Sequence, residues 1–462
     1  MVLAGAFALA WVKLPEWQPE WVIKHSPWAD PAVRAMIAYD VRDYQYSARE
    51  RIMEWGPAIG SVLRRYYESG SPYVREQVLV LASTTLDSYN VGSIPLFRPR
   101  QDGRRLTTSE TETLHADLRW LATTASSETS DVLRARSLPL IIAVRDPDLM
   151  QLPCDWLLSG TSGIHVDSLI EAIYELRDPR SVPRLIPLLP TTPESSTRAT
   201  IAYAVRECLA PTQVAEVLNA TKHQDRYVRE WAASAIDQVN VDPALEAQLI
   251  GLLSDSESDV RLAALNTVIR KGIPNEFHAA VIARLEDQTH EIRWNAVDAI
   301  ITQKVPPAFR SAFIALVSDP AVDLRLVVID AIGEFRIREA GELLLTRLRV
   351  EPVLSLRISI IEALGRLEHI DAKPVLRQIA VLPTDSLQGA AIVTLGTLRD
   401  PTDFPLLMNL LRDEDDDIAR KARIALDYLP LTPDQQKQVD ALWEAQPDDD
   451  APAPVSPVTF PP

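Results

Sequence analysis

Cysteine, glycine and positive charge are all scarce in this chain of 462 residues. Two cysteines, Cys154 and Cys208, can build neither a disulfide framework nor a four-thiolate metal site, and isolated free cysteines behave as small core residues. The 15 glycines include no Gly-x-Gly-x-x-Gly and no Walker-type loop, so no phosphate cradle is written into the chain. Lysine plus arginine total 47 against 64 aspartates and glutamates, for a net charge of −17. That balance repels phosphate and disfavours a nucleic-acid partner. No apolar run reaches the roughly 20 residues that span a bilayer as a helix.

Catalytic and metal-binding patterns are equally thin. The seven histidines (His25, His115, His165, His223, His278, His290 and His369) include no pair at the i, i+4 spacing that puts two ligands on one helical face. Gly160-Thr161-Ser162-Gly163 lacks the spacing of a nucleophile elbow, and Asp413 to Asp417 lacks the alternation and central glycine of a calcium loop. No catalytic, cofactor-binding or metal-binding residue is therefore assigned, and the expected protein is non-catalytic and without a cofactor.

What is present is a period. An apolar residue followed by arginine and an apolar 3.6-residue pattern recurs along the second two-thirds of the chain. Counting the apolar residue or its equivalent as the first position, copies start at His165, Thr197, Val228, Val260, Ile292, Leu324, Leu356, Leu387 and Ile418, 31 or 32 residues apart. The fifth, eighth and ninth positions are apolar or small, as in Ala296, Ala299 and Ile300, or Val328, Ala331 and Ile332, which is one helical face. A second apolar helix precedes each start, for example residues 279–285 and 343–348. Each copy thus reads as a helical hairpin, and no alternating strand pattern competes. The expected fold is all-α, an α-solenoid of hairpins.

Residues 176–189 (LRDPRSVPRLIPLL), 255–265 (DSESDVRLAAL), 363–376 (ALGRLEHIDAKPVL) and 395–426 resemble the HEAT-repeat family, specifically the short HEAT-like repeats of the phycobilin-lyase type. That resemblance implies a superhelix and a binding scaffold. It also leaves a second reading, a lyase or chaperone acting on a chromophore or other small molecule.

The period divides the chain. Residues 1–25 are apolar and rich in tryptophan, and Met1 to Val12 carries no charge. Three readings of that run stay open: a helix capping the first repeats, the end of a membrane anchor, or an atypical secretory signal. Localisation is accordingly cytoplasmic or membrane-associated through the N-terminus. Residues 26–160 hold divergent repeats, with helix starts near Pro31, Pro72 and Val132 and a polar loop near 89–108 that carries Arg98, Arg100, Arg104 and Arg105. A Ser109-x-x-Glu112 capping box should open the next helix, through about Leu121. Residues 161–430 are the regular repeats, 431–445 a C-terminal capping helix, and 446–462 a proline- and acid-rich disordered tail.

Two polar ladders run through the repeats. Asp255, Asp287, Asp319, Glu351 and Asp413 stand five residues before a start, and Arg261, Arg293, Arg325 and Arg357 one residue after it. An acid there can accept bonds from turn amides and from a guanidinium, tying one repeat to the next. The candidate partner surface is the concave side of the second helices. Its seventh positions include Asp298, Asp330 and Glu362, and its third positions Trp294 and Leu326. Acid beside an exposed apolar row suits a basic, partly apolar protein segment.

Overall fold

A computed structural model describes residues 59–89, 108–160, 164–382 and 387–444. Its described residues form α-helices joined by turns and short 3-10 segments, with no strand among them. The apolar, tryptophan-rich segment at residues 1–25, the repeat start near Pro31, the arginines of the polar loop and the C-terminal tail lie outside the described residues. None of the described helices is long and apolar enough to cross a membrane. The chain forms two compact units, Met1–Leu249 and Ile250–Pro462.

In the first unit, helices Ile59–Ser69, Pro72–Tyr89, Thr108–Ser126 and Asp131–Val144 pack about a core that includes Leu63, Leu79, Leu118 and Ile141. Buried Tyr67 donates its hydroxyl to Glu128 at 3.2 Å, and Arg75 reaches the same carboxylate at 2.7 Å. Burial, together with the nearby Glu128 charge, raises the phenol pKa well above its ordinary value. Ser109 does not cap its helix. The helix already includes Thr108 and runs on to Ser126, with Thr113 Oγ1 donating to the Ser109 carbonyl at 2.9 Å. The repeats that follow contribute second helices Val166–Leu176, Ser195–Glu207 and Arg226–Ala235.

The second unit repeats one pattern. Its second helices are Ser258–Arg270, His290–Thr302, Val322–Glu334, Leu354–Arg366, Gln388–Thr397 and Asp416–Tyr428. Consecutive ones lie side by side, each preceded by a shorter first helix such as His278–Arg284 or Gly341–Val350. This is an α-solenoid. The fifth, eighth and ninth positions are buried in the copies starting at Ile292, Leu324 and Leu356, so the 3.6-residue face becomes the core. Helix ends are as regular as the starts. The amides of Ile273, Val305, Ile337 and His369 each bond to a carbonyl five residues back, closing the last turn. The residue before each of these has positive φ: Gly272 needs no strain for it, whereas Lys304, Arg336 and Glu368 adopt it with a side chain.

Three glycines stand where a neighbouring second helix leaves little room for a side chain. Gly333, Gly365 and Gly396 occupy the tenth position of three successive second helices. A Cβ on Gly396 would lie 2.5 Å from the Ala425 backbone, and one on Gly333 3.2 Å from Ala363 Cα. Only hydrogen fits at Gly396 without moving a backbone.

Candidate functional site

The ladder residues sit where each hairpin turns into its second helix. Asp287 accepts the Thr289 amide at 3.0 Å, Asp319 the Ala321 amide at 2.8 Å, and Glu351 the Val353 amide at 3.2 Å. The arginine of one repeat then grips two turns at once. Arg261 donates to the Asp255 carbonyl at 2.9 Å and, bidentately at 2.8 Å, to Asp287 one repeat on. Arg293 donates to the Asp287 carbonyl and to both oxygens of Asp319, while Arg325 reaches the Asp319 carbonyl and Glu351 at 3.1 Å. Burial opposes ionisation of Asp287 and Glu351, yet the guanidinium and amide bonds outweigh it and hold both carboxyls below their ordinary range.

Arg357 does not continue this pattern. The position five before the next start is Leu382, and Arg357 makes no ion pair with a described residue. Gln388 stands where the following arginine would be and donates to the Ala380 carbonyl at 3.1 Å. At this level the ties sit on the first helices, where Lys373 pairs with Asp400 and Asp403, and Arg377 with Asp403.

Along the second helices, Asp298 and Asp330 are exposed and make no ion pair with a described residue. Glu362 is exposed and lies 3.7 Å from Arg366 on its own helix. The third-position residues Leu262, Trp294, Leu326 and Ile358 are half-buried rather than exposed. Each therefore shares its surface between repeat packing and solvent. Trp294 lies beside His290, ring centroids 6.1 Å apart, and His290 Nε2 stands 3.3 Å from Asp323 Oδ1 of the next repeat. The three acids named in the sequence and the two apolar residues thus occupy successive helices of one unit. At the same seventh position, Ser234 and Asn266 are half-buried and uncharged, so the negative stretch begins at Asp298.

Three features escaped the sequence reading: the glycine column, the first-helix ties around Asp403, and a cluster of Glu342, His369 and Asp371. The Ala/Thr-Ile/Leu-Gly recurrence at Gly333, Gly365 and Gly396 was the available signal for the first. The other two are assembled from separate turns and carry no local motif.

Helical hairpins stacked at this period define the class as a repeat α-solenoid. Within it, residues 341–427 match the family model described as HEAT repeats. None of the curated proteins matches the chain. Among solved structures, the Escherichia coli protein YibA is 20% identical, with 57% of this chain and 96% of that one covered and a TM-score of 0.37. An importin beta structure is 13% identical over 80% of this chain, with a TM-score of 0.44, and the match spans 59% of the importin's length. The CpcE–CpcF complex of phycocyanin lyase from Nostoc is 17% identical, with 50% of this chain and 93% of that one covered and a TM-score of 0.24.

Proposed function

We propose that the chain is a non-catalytic HEAT-repeat scaffold that holds a basic, partly apolar segment of a partner protein against the concave side of its second helices. Trp294 and Leu326 supply apolar contact, and Asp298, Asp330 and Glu362 supply the charge that selects lysine and arginine. The observation that carries this reading is the pair of exposed, unpaired carboxylates on neighbouring helices beside half-buried apolar side chains. Asp287 and Asp319, which serve the fold, are tied into the turns, whereas Asp298 and Asp330 present their carboxylates to solvent. The net charge of −17 gives such a face a long-range attraction for basic segments and none for nucleic acid.

The test is capture of partners from source-cell lysate by the wild-type chain and by a D298K/D330K/E362K variant. These substitutions fall on exposed positions, so both proteins should melt alike. The expected result is a reproducible protein retained by the wild type and lost from the variant. Equal retention by both would overturn the assignment of the face. Repeating the capture without Met1 to Val12 separates partner binding from membrane recruitment through that apolar run.

A further inference from the structure

We propose that Glu342, His369 and Asp371 form a site for a divalent transition-metal ion of the zinc type, joining two consecutive repeats. Glu342 belongs to the first helix Gly341–Val350, whereas His369 and Asp371 lie in the turn after second helix Leu354–Arg366, close to 30 residues further on. One ligand atom from each, an imidazole nitrogen and two carboxylate oxygens, falls within 4.8 Å of the others. An ion bound at about 2.0 to 2.2 Å holds neighbouring tetrahedral ligands about 3.4 Å apart, so a small rotation of the two carboxylates closes the set. Both are free to make it, since Glu342 and Asp371 are exposed.

The histidine supplies the independent argument. Its side chain is only 16% exposed, and its Nε2 is shielded from solvent without any hydrogen-bond partner. Glu342 Oε1 stands 3.3 Å from that nitrogen in a geometry that makes no hydrogen bond. In either tautomer, a solvent-shielded Nε2 that makes no hydrogen bond is unfavourable on its own. A cation between Nε2 and the carboxylate satisfies both, and it offsets the two negative charges that converge there. The ring is also held in place. A Cβ on Gly341 would lie 2.4 Å from His369 Nδ1, so the imidazole rests directly on the glycine backbone. One nitrogen with two oxygens suits zinc and its neighbours better than magnesium or calcium, which prefer all-oxygen sets. Water would complete the coordination.

The experiment titrates zinc chloride into the chelator-stripped full chain, by calorimetry and by thermal melting, for the wild type, E342Q and H369Q. Glu342 is exposed, so E342Q should leave the fold intact even if H369Q does not. The expected result is one saturable high-affinity event in the wild type that raises its melting temperature, weakened at least about tenfold in E342Q. Absence of that event, or the same event in wild type and E342Q, would overturn the site. Magnesium binding as tightly as zinc, with the same sensitivity to E342Q, would overturn the assignment of metal class.

Discussion

Replacing Asp287 by alanine probes the ladder where its geometry is densest. The carboxylate is 3% exposed and accepts Arg261 twice at 2.8 Å, Arg284 at 2.9 Å and the Thr289 amide at 3.0 Å. Arg261 and Arg284 are themselves 12% and 13% exposed, so truncation strands two guanidiniums that water reaches poorly. Removing one partner of a buried, hydrogen-bonded ion pair costs about 3–5 kcal/mol, against about 0.5 kcal/mol or less for an exposed control such as Asp298→Ala. Because the bonds hold the Asp287 carboxyl below its ordinary range, the stabilisation is complete above the unfolded carboxyl's pKa of about 3.9. It disappears as pH falls through the lower folded value. The margin of the wild type over Asp287→Asn should therefore be flat from neutral pH to about pH 5 and shrink below about pH 4. Amide hydrogen exchange suits a repeat protein, because it reads opening of Ser258–Arg270 and His290–Thr302 locally instead of assuming a single global transition. A loss under about 1 kcal/mol, the range of a surface pair, would refute the reasoning, as would a margin unchanged down to pH 2.

The glycines make opposite predictions by position. Gly396→Ala drives a Cβ to 2.5 Å from the Ala425 backbone and should cost about 1–3 kcal/mol in urea unfolding. Gly251→Ala meets nothing within 4 Å on a helix and should gain about 0.5–1 kcal/mol in the same assay. Cys154 and Cys208 are buried, and burial pushes the Cys208 thiol up to about 12. Neither should react with a thiol reagent at pH 8 until the chain is unfolded, and rapid native labelling of Cys208 would contradict its burial. Zinc should raise the melting temperature of the wild type more than that of E342Q, for the reasons given above.

Much of the architecture was legible because each repeat states its own boundaries. Val260, Ile292, Leu324 and Leu356 each fall at the third residue of their second helix, since an apolar anchor there faces the core, and after the first three the next residue, arginine, reaches back to the turn. The arginine and acid rows could be listed from spacing alone. That Arg357 stands outside the pattern follows from Leu382, an apolar residue where an acid was needed. Depth on the surface was harder to read. Periodicity places Trp294 and Leu326 on a face, but how far they protrude depends on the distance between helices, which small residues such as Gly333 set. Ser109 shows the limit of local signals, because a capping motif cannot tell whether the helix has already begun before it. His369 and Glu342 meet only when a hairpin closes and brings its two ends together, and no spacing rule within one helix could join them.

The face itself is tested most directly by site-specific photo-cross-linking in source-cell lysate. A photoreactive residue is placed at Asp298 or Asp330 on the second helices, and, as comparison, at exposed Ala283 or Ser311 on the first helices. The account predicts one protein joined from Asp298 and Asp330 but not from Ala283 or Ser311, with the linked peptide rich in lysine or arginine and carrying apolar residues. Cross-links arising equally from all four positions, or only from the first helices, would contradict it.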